Sequence, residues 1–148
     1  MLRLTLLLPL LLCSCATSYT QLRSNPLAYP VVSHWELDVS AGNTETAEAA
    51  SLGEAWPGDP MLVAHRFLGK LWDRSAAVSV ETLAGETPTE IRITVFRDGF
   101  LDDAVAGDWH ELTLELQSGG YWRITKAKQA LRCRRGPGSE IYAAETCP

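Results

Sequence analysis

An α+β fold, one helix packed on a four- to five-stranded antiparallel sheet, is what this sequence predicts, and three observations predict it. Met61, Ala64, Leu68, Leu71 and Trp72 recur at helical spacing and make one apolar face. Four later segments alternate apolar with polar residues, as half-buried strands do. Their apolar residues fall on one side, which leaves a sheet face for the helix to cover.

The elements follow in chain order. Residues 31–39 form a short strand. Residues 40–54 hold Gly42, Asn43 and Gly53 among Ala, Thr and Glu, and read as a loop or weakly ordered arm. Gly58-Asp59-Pro60 starts the helix: Asp59 caps orphan amides, and Pro60 at the first helical position gives up a hydrogen bond it never had. The helix covers residues 60–71, with Gly69 weakening its end. Strands follow over 77–83, 91–97, 109–117 and 121–130.

The last two strands permit a register prediction. Leu112, Leu114 and Leu116 share a buried face with Trp122 and Ile124 if Ser118-Gly119-Gly120 is a three-residue turn with Gly120 in the left-handed conformation. Leu116 then faces Trp122, and Leu114 faces Ile124. On the other side Glu115 faces Arg123 and Thr113 faces Thr125, both favourable neighbours. Val78, Val80, Ile91, Ile93 and Val95 continue the apolar face. The order of helix then strands is similar to cystatin-like and NTF2-like rolls.

The chain's beginning reads as an export signal. Arg3 precedes an apolar run from Leu4 to Leu12, well short of the roughly 20 apolar residues a membrane span needs. Leu12-Cys13-Ser14-Cys15 fits a bacterial lipobox, with cleavage after residue 14 and lipidation of Cys15; an ordinary secretory cut near Ala16 is the competing reading. A fatty acyl chain such as palmitate adds roughly 0.8 kcal/mol of membrane affinity per buried methylene. Domain boundaries follow: signal peptide 1–14, tether 15–30 and one folded domain 31–148. Ala16 in place of Asp resembles bacterial lipoprotein signals for the periplasmic face of the outer membrane. In a host with one membrane, the outer face of that membrane is the destination.

Removal of Cys13 and lipidation of Cys15 would leave two thiols, Cys133 and Cys147, in an oxidising compartment. A disulfide closing a loop of about 15 residues contributes roughly 3 kcal/mol in the chain-entropy model. Metal and redox roles fit worse, since no companion ligand stands at metal spacing and no Cys-x-x-Cys occurs.

Without Arg3 the chain has 12 Lys plus Arg against 18 Asp plus Glu, a formal charge of −6, which disfavours nucleic-acid binding. Half of the positive charge falls in thirteen residues, Arg123, Lys126, Lys128, Arg132, Arg134 and Arg135, with no acid between them. This is either a solvated strand or a basic edge for anionic lipid or an acidic partner. Asp98, Asp102, Asp103 and Asp108 lie in or beside the connection 99–108. They are weak calcium candidates, because the spacing is not that of a calcium loop and aspartate also caps turns. His34, His65 and His110 lack the neighbours of known catalytic motifs, and His34 and His110 read as satisfied residues at strand ends. No nucleophile elbow, Walker loop or dinucleotide fingerprint occurs, so neither an enzyme nor a cofactor is expected.

Asp102-Asp103-Ala104-Val105-Ala106-Gly107 before a leucine-alternating strand, then Trp122-Arg123, Arg132-Cys133, paired glycines and a final cysteine resemble a group of small exported bacterial lipoproteins. The likeness covers residues 91–148. In that group Gly-Arg-Gly-His stands between the cysteines, where this chain has Gly136-Pro137-Gly138-Ser139. The resemblance implies export, the disulfide and one fold, and carries no activity.

The expected role is a non-catalytic, lipid-anchored envelope module that binds an envelope protein, anionic lipid or cell-wall component. The contact is the basic edge or the polar sheet face bearing Phe96, Trp109 and Tyr121. Inhibition of a lysozyme-type cell-wall hydrolase is one variant. The alternative is a small-ligand carrier or enzyme with a pocket between helix and sheet.

Overall fold

The computed structural model describes residues 26–69, 75–83 and 88–148. Cys13, Cys15, the signal segment and the tether as far as residue 25 lie outside them, as do Leu71 and Trp72. The described fold is α+β: a five-stranded antiparallel sheet with helix packed on one face. Strands β1 (Trp35–Glu36), β2 (Ser75–Thr82), β3 (Glu90–Asp98), β4 (Val105–Leu116) and β5 (Trp122–Cys133) lie in the order β1-β5-β4-β3-β2. Two helices, α1 (Ser40–Ser51) and α2 (Pro60–Leu68), fall between β1 and β2.

Helix α2 starts as its sequence requires. The Asp59 carboxylate accepts from the amides of Met61 at 2.8 Å and Leu62 at 3.3 Å, and Pro60 occupies the first turn. The helix stops at Leu68, earlier than residue 71, because Gly69 adopts φ 73° and turns the chain out of it. Val63 and Ala64 of α2 pack on Ile91, Ile93, Val95, Leu112, Leu114, Trp122, Ile124 and Ala127 of the sheet. We call this helix-covered side the inner face.

The expectation of a loop over 40–54 is corrected: residues 40–51 form α1. Its buried residues are Thr46 and Ala49 and its apolar side chains are all alanines, so no large residue signals a face. Its place is fixed instead by tertiary contacts. Asn43 clasps the backbone of Ile124, accepting from its amide at 2.9 Å and donating to its carbonyl at 2.8 Å. Gly42 lets the Phe67 ring approach, since a Cβ there would lie 2.8 Å from a ring carbon. The strand expected over 31–39 is likewise reduced to β1 and an isolated bridge from Val31 to Tyr142. The chain leaves sheet geometry after Glu36 to enter α1.

The β4–β5 turn has the expected form. Gln117 and Tyr121 close over Ser118-Gly119-Gly120, Gly120 has φ 78°, and Leu116 pairs with Trp122, Glu115 with Arg123 and Leu114 with Ile124. The expected Thr113–Thr125 pairing fails. A bulge between the Thr113–Lys126 and Leu114–Ile124 pairs leaves Thr125 as the extra residue. The Thr125 hydroxyl still reaches the Thr113 carbonyl at 3.2 Å.

Strand β4 begins at Val105 rather than at residue 109, and β5 continues to Cys133. This upper end of the sheet is covered on the outer face. Phe96, Trp109 and Ala130 pack there with Tyr142 of the C-terminal tail and with Tyr29 and Val31 of the entering chain. Tyr29, placed by sequence in the tether, is thus part of the domain. Cys133 and Cys147 form a disulfide, their Cα atoms 5.2 Å apart, which ties the tail to β5.

Candidate functional site

Two arrangements carry chemistry: a pair of buried ionic clusters at the upper end of the sheet, and a groove between the helices.

Antiparallel register sets Arg97 of β3 opposite Asp108 of β4, and strand alternation puts His110 on the same inner face two residues on. Arg97 forks onto Asp108, Nε to Oδ1 at 2.8 Å and Nη2 to Oδ2 at 2.5 Å, and also donates to the Leu68 carbonyl at the end of α2. His110 Nε2 lies 3.0 Å from Asp108 Oδ2 and 3.1 Å from Arg97 Nη2. Burial pushes the Asp108 carboxyl up, but hydrogen bonds from His110 and Arg97 outweigh it and hold the group below the usual aspartate range. His110 is 3% exposed, and its Nδ1 is buried without a hydrogen-bond partner among the described residues. It therefore lies mid-strand and half-satisfied, correcting the expectation of a satisfied residue at a strand end.

On the outer face the next residue, Asp98, is paired with Arg132 of β5. The two strands are not adjacent; β4 runs between them, and Gly107 is the residue crossed. A Cβ on Gly107 would sit 2.4 Å from the Arg97 carbonyl and 3.1 Å from the Asp98 carboxylate, so only glycine leaves this bridge open. The Arg132 guanidinium also stacks 4.5 Å over the Tyr29 ring and donates to the Ser139 carbonyl at 3.2 Å. Burial beside this pair pushes the Tyr142 phenol up to about 12.

The four aspartates thus diverge. Asp98 and Asp108 point to opposite faces, Asp102 accepts from the amides of Ala104 at 2.8 Å and Val105 at 2.7 Å, and Asp103 is exposed. Those turn hydrogen bonds hold the Asp102 carboxyl below its usual value. Among the described residues no three His, Cys, Asp or Glu come together as a metal site.

The basic run is not an edge, because β5 lies between β1 and β4. Arg132 is consumed in the outer-face pair, Lys128 binds Glu111 at 2.9 Å, and Arg134 donates to the Asp102 and Phe100 carbonyls. Arg123, Lys126 and Arg135 remain exposed, and they are spread from one end of β5 to beyond the other. Of the aromatics expected on the polar face, Phe96 and Trp109 are covered by the tail cluster, and Tyr121 is half-buried beside the β4–β5 turn.

The groove was hidden from sequence reading because α1 was. It encloses about 290 Å³ between α1 and α2, floored by Gly42, Val63, Phe67 and Ile124 and flanked by Asp38, Glu45, Trp56 and Arg66. Arg66 lies 4.5 Å over the Trp56 ring and 2.9 Å from Glu45. Glu54 accepts the Trp56 indole proton at 2.7 Å. Hydrogen bonds donated by Ser40 hold the Asp38 carboxyl below its usual range. No Lys or Arg occurs between Arg23 and Arg66, while Glu36, Asp38, Glu45, Glu48, Glu54 and Asp59 all do. The helical layer is therefore strongly acidic. The absence of basic residues from this stretch was the available signal.

Compared with known proteins, the chain matches no protein family, no curated protein and no solved structure.

Proposed function

We propose that this chain is a lipid-anchored bacterial envelope protein, held at Cys15, that works as a non-catalytic binding module for a cationic envelope partner. The groove carries this reading. It opens on an acidic helical layer, and its one arginine already occupies an aromatic face and a carboxylate, the contacts a partner's basic side chain would seek. The middle of the inner face, by contrast, is packed with apolar side chains: Ile93, Val95, Leu112 and Leu114 are all fully buried.

A cationic cell-wall hydrolase of the lysozyme type is one partner of the right charge, and a lysozyme is the probe for the test. The full chain should bind and inhibit it, more weakly as salt rises, and Glu45→Gln with Glu54→Gln should weaken binding further. Salt-independent binding, or none, removes the groove from the argument. The anchor has its own test in the intact mass of protein from host membranes. A diacyl or triacyl chain beginning at Cys15, with two thiols released only on reduction, is expected; an unacylated chain overturns it.

The second reading, a small-ligand carrier or enzyme, draws on His110, whose buried Nδ1 has no hydrogen-bond partner among the described residues and lies beside a charged pair. A ligand whose binding is lost in His110→Gln, while the lysozyme probe is unaffected, would favour it.

A further inference from the structure

The two edges of the sheet are finished differently. Along β5 the outward backbone is engaged at intervals from Ile124 to Leu131: Asn43 clasps Ile124, β1 pairs with Lys128 and Gln129, and Ala143 of the tail exchanges two hydrogen bonds with Leu131. The opposite edge is β2. Leu83 bonds back to Glu90, so by alternation the odd residues of β2 bond to β3, and Ala76, Val78, Val80 and Thr82 aim their amides and carbonyls outward. Among the described residues, no strand pairs with them. Among the described residues Pro26–Ala28 comes near β2 without pairing as a strand, and β2 itself lacks the usual protection. It has no proline, lysine or bulge, its single charge Glu81 is turned onto Arg92 at 3.3 Å, and Val80 is 50% exposed.

We propose that β2 pairs antiparallel with β2 of a second copy, making one continuous ten-stranded sheet about a twofold axis at Ser79. The sequence of β2 is self-complementary in that register. Val78 of each copy meets Val80 of the other on the inner face, through outward-pointing backbone that can hydrogen-bond. On the outer face Ser79 meets itself and Glu81 meets Ala77, so the two glutamates stay about 13 Å apart at 3.3 Å per residue, beyond most of their repulsion at physiological salt. A shift of one residue in the pairing would set inner against outer side chains and lose the valine contact. A strand of another protein would find the same free backbone, but nothing on β2 selects it, whereas the charge placement and valine pairing suit a copy of β2 itself.

The test uses the full chain in mild detergent. Ser79→Cys places two thiols on the axis, where facing Cα atoms outside the hydrogen-bonded rings are about 4.5 Å apart, within disulfide reach. Mild oxidation should give a covalent dimer well above the background of the parent chain. Ala77→Cys should not, because the register holds its thiols apart. By light scattering the parent chain should have dimer mass, and Val80→Pro, which removes an outward donor without touching a β3 bond, should have monomer mass. If Val80→Pro lowers the melting temperature, Val80→Lys serves in its place. A parent chain that is monomeric at all concentrations overturns the proposal, whatever foreign strand later proves to fill the edge. Equal cross-linking at positions 77 and 79 overturns it too.

Discussion

Arg97 and Asp98 are neighbours in the chain, yet they build buried ion pairs on opposite faces of the sheet and with opposite polarity. The inner pair, Arg97 with Asp108, is made within one hairpin and closed by the end of α2. The outer pair, Asp98 with Arg132, spans three strands and draws in Tyr29 from one end of the domain and Ser139 from the other. The difference teaches where each part of the fold gets its order. The inner cluster comes from local register, while the outer one exists only when both ends of the domain have come home. Buried pairs of this kind are costly to assemble, so their value lies in specifying one arrangement, and each is most informative when half of it is removed.

Gly107→Ala should have the largest effect, because its Cβ would strike the Arg97 backbone and the Asp98 carboxylate together. We expect a loss above about 5 kcal/mol, or failure to fold, by urea denaturation. Asp108→Ala and Asp98→Ala should each cost about 3–5 kcal/mol by leaving a buried guanidinium uncompensated. They should part in their local effects. Asp98→Ala should speed hydrogen exchange at Tyr142 and Ala143, and Asp108→Ala should leave those amides protected.

Reduction of Cys133–Cys147 should cost roughly 3 kcal/mol and loosen only the outer side. A tail set free would let the Tyr142 phenol, held at about 12, titrate near the ordinary tyrosine value, seen by ultraviolet difference against Tyr142→Phe.

The faces should also fail at opposite ends of the pH scale. Asp108 has a folded pKa below its unfolded one, so its contribution is complete above about pH 4 and is lost as pH falls through the folded value. Asp108→Asn should flatten the acid limb of the stability profile. Tyr142 has its folded pKa raised, so its contribution holds below about pH 10 and disappears as pH rises toward 12. Tyr142→Phe should flatten the alkaline limb. The smallest effect on stability belongs to Arg66→Ala, whose exposed pair with Glu45 is worth under about 1 kcal/mol. Its effect should appear in lysozyme binding instead.

What the sequence made legible follows from how local each cause is. Asp59-Pro60 and Ser118-Gly119-Gly120 act within a few residues, and the α2 start and the β4–β5 turn were readable from them. Helix α1 was not, because Ala and Thr gave it no apolar stripe and its anchor is Asn43 on the distant Ile124 backbone. The bulge at Thr125 was invisible for the same reason. It spares one residue beyond the turn, and nothing near the turn requires it. Among the candidate sites, the disulfide partners follow from the number of cysteines alone. The inward alternation of Leu112 and Leu114, carried further toward the N-terminus, puts His110 and Asp108 on one face. A strand that starts at Trp109 leaves Asp108 outside it and His110 at its end.

The entering chain also has a mechanical consequence. Pro30 and Val32 each share a backbone hydrogen bond with Tyr142, and Tyr142 is followed by residues bound to β5 through Ala143 and the disulfide. A pull applied ahead of Pro30 therefore loads the tail as well as the sheet, which it reaches through Tyr29 on Arg132. The tail cannot peel away as a free end would, because Cys147 fastens its tip to β5. Force must instead shear short strand contacts lengthwise, which makes this corner of the domain a clamp against tension from the chain's N-terminal side.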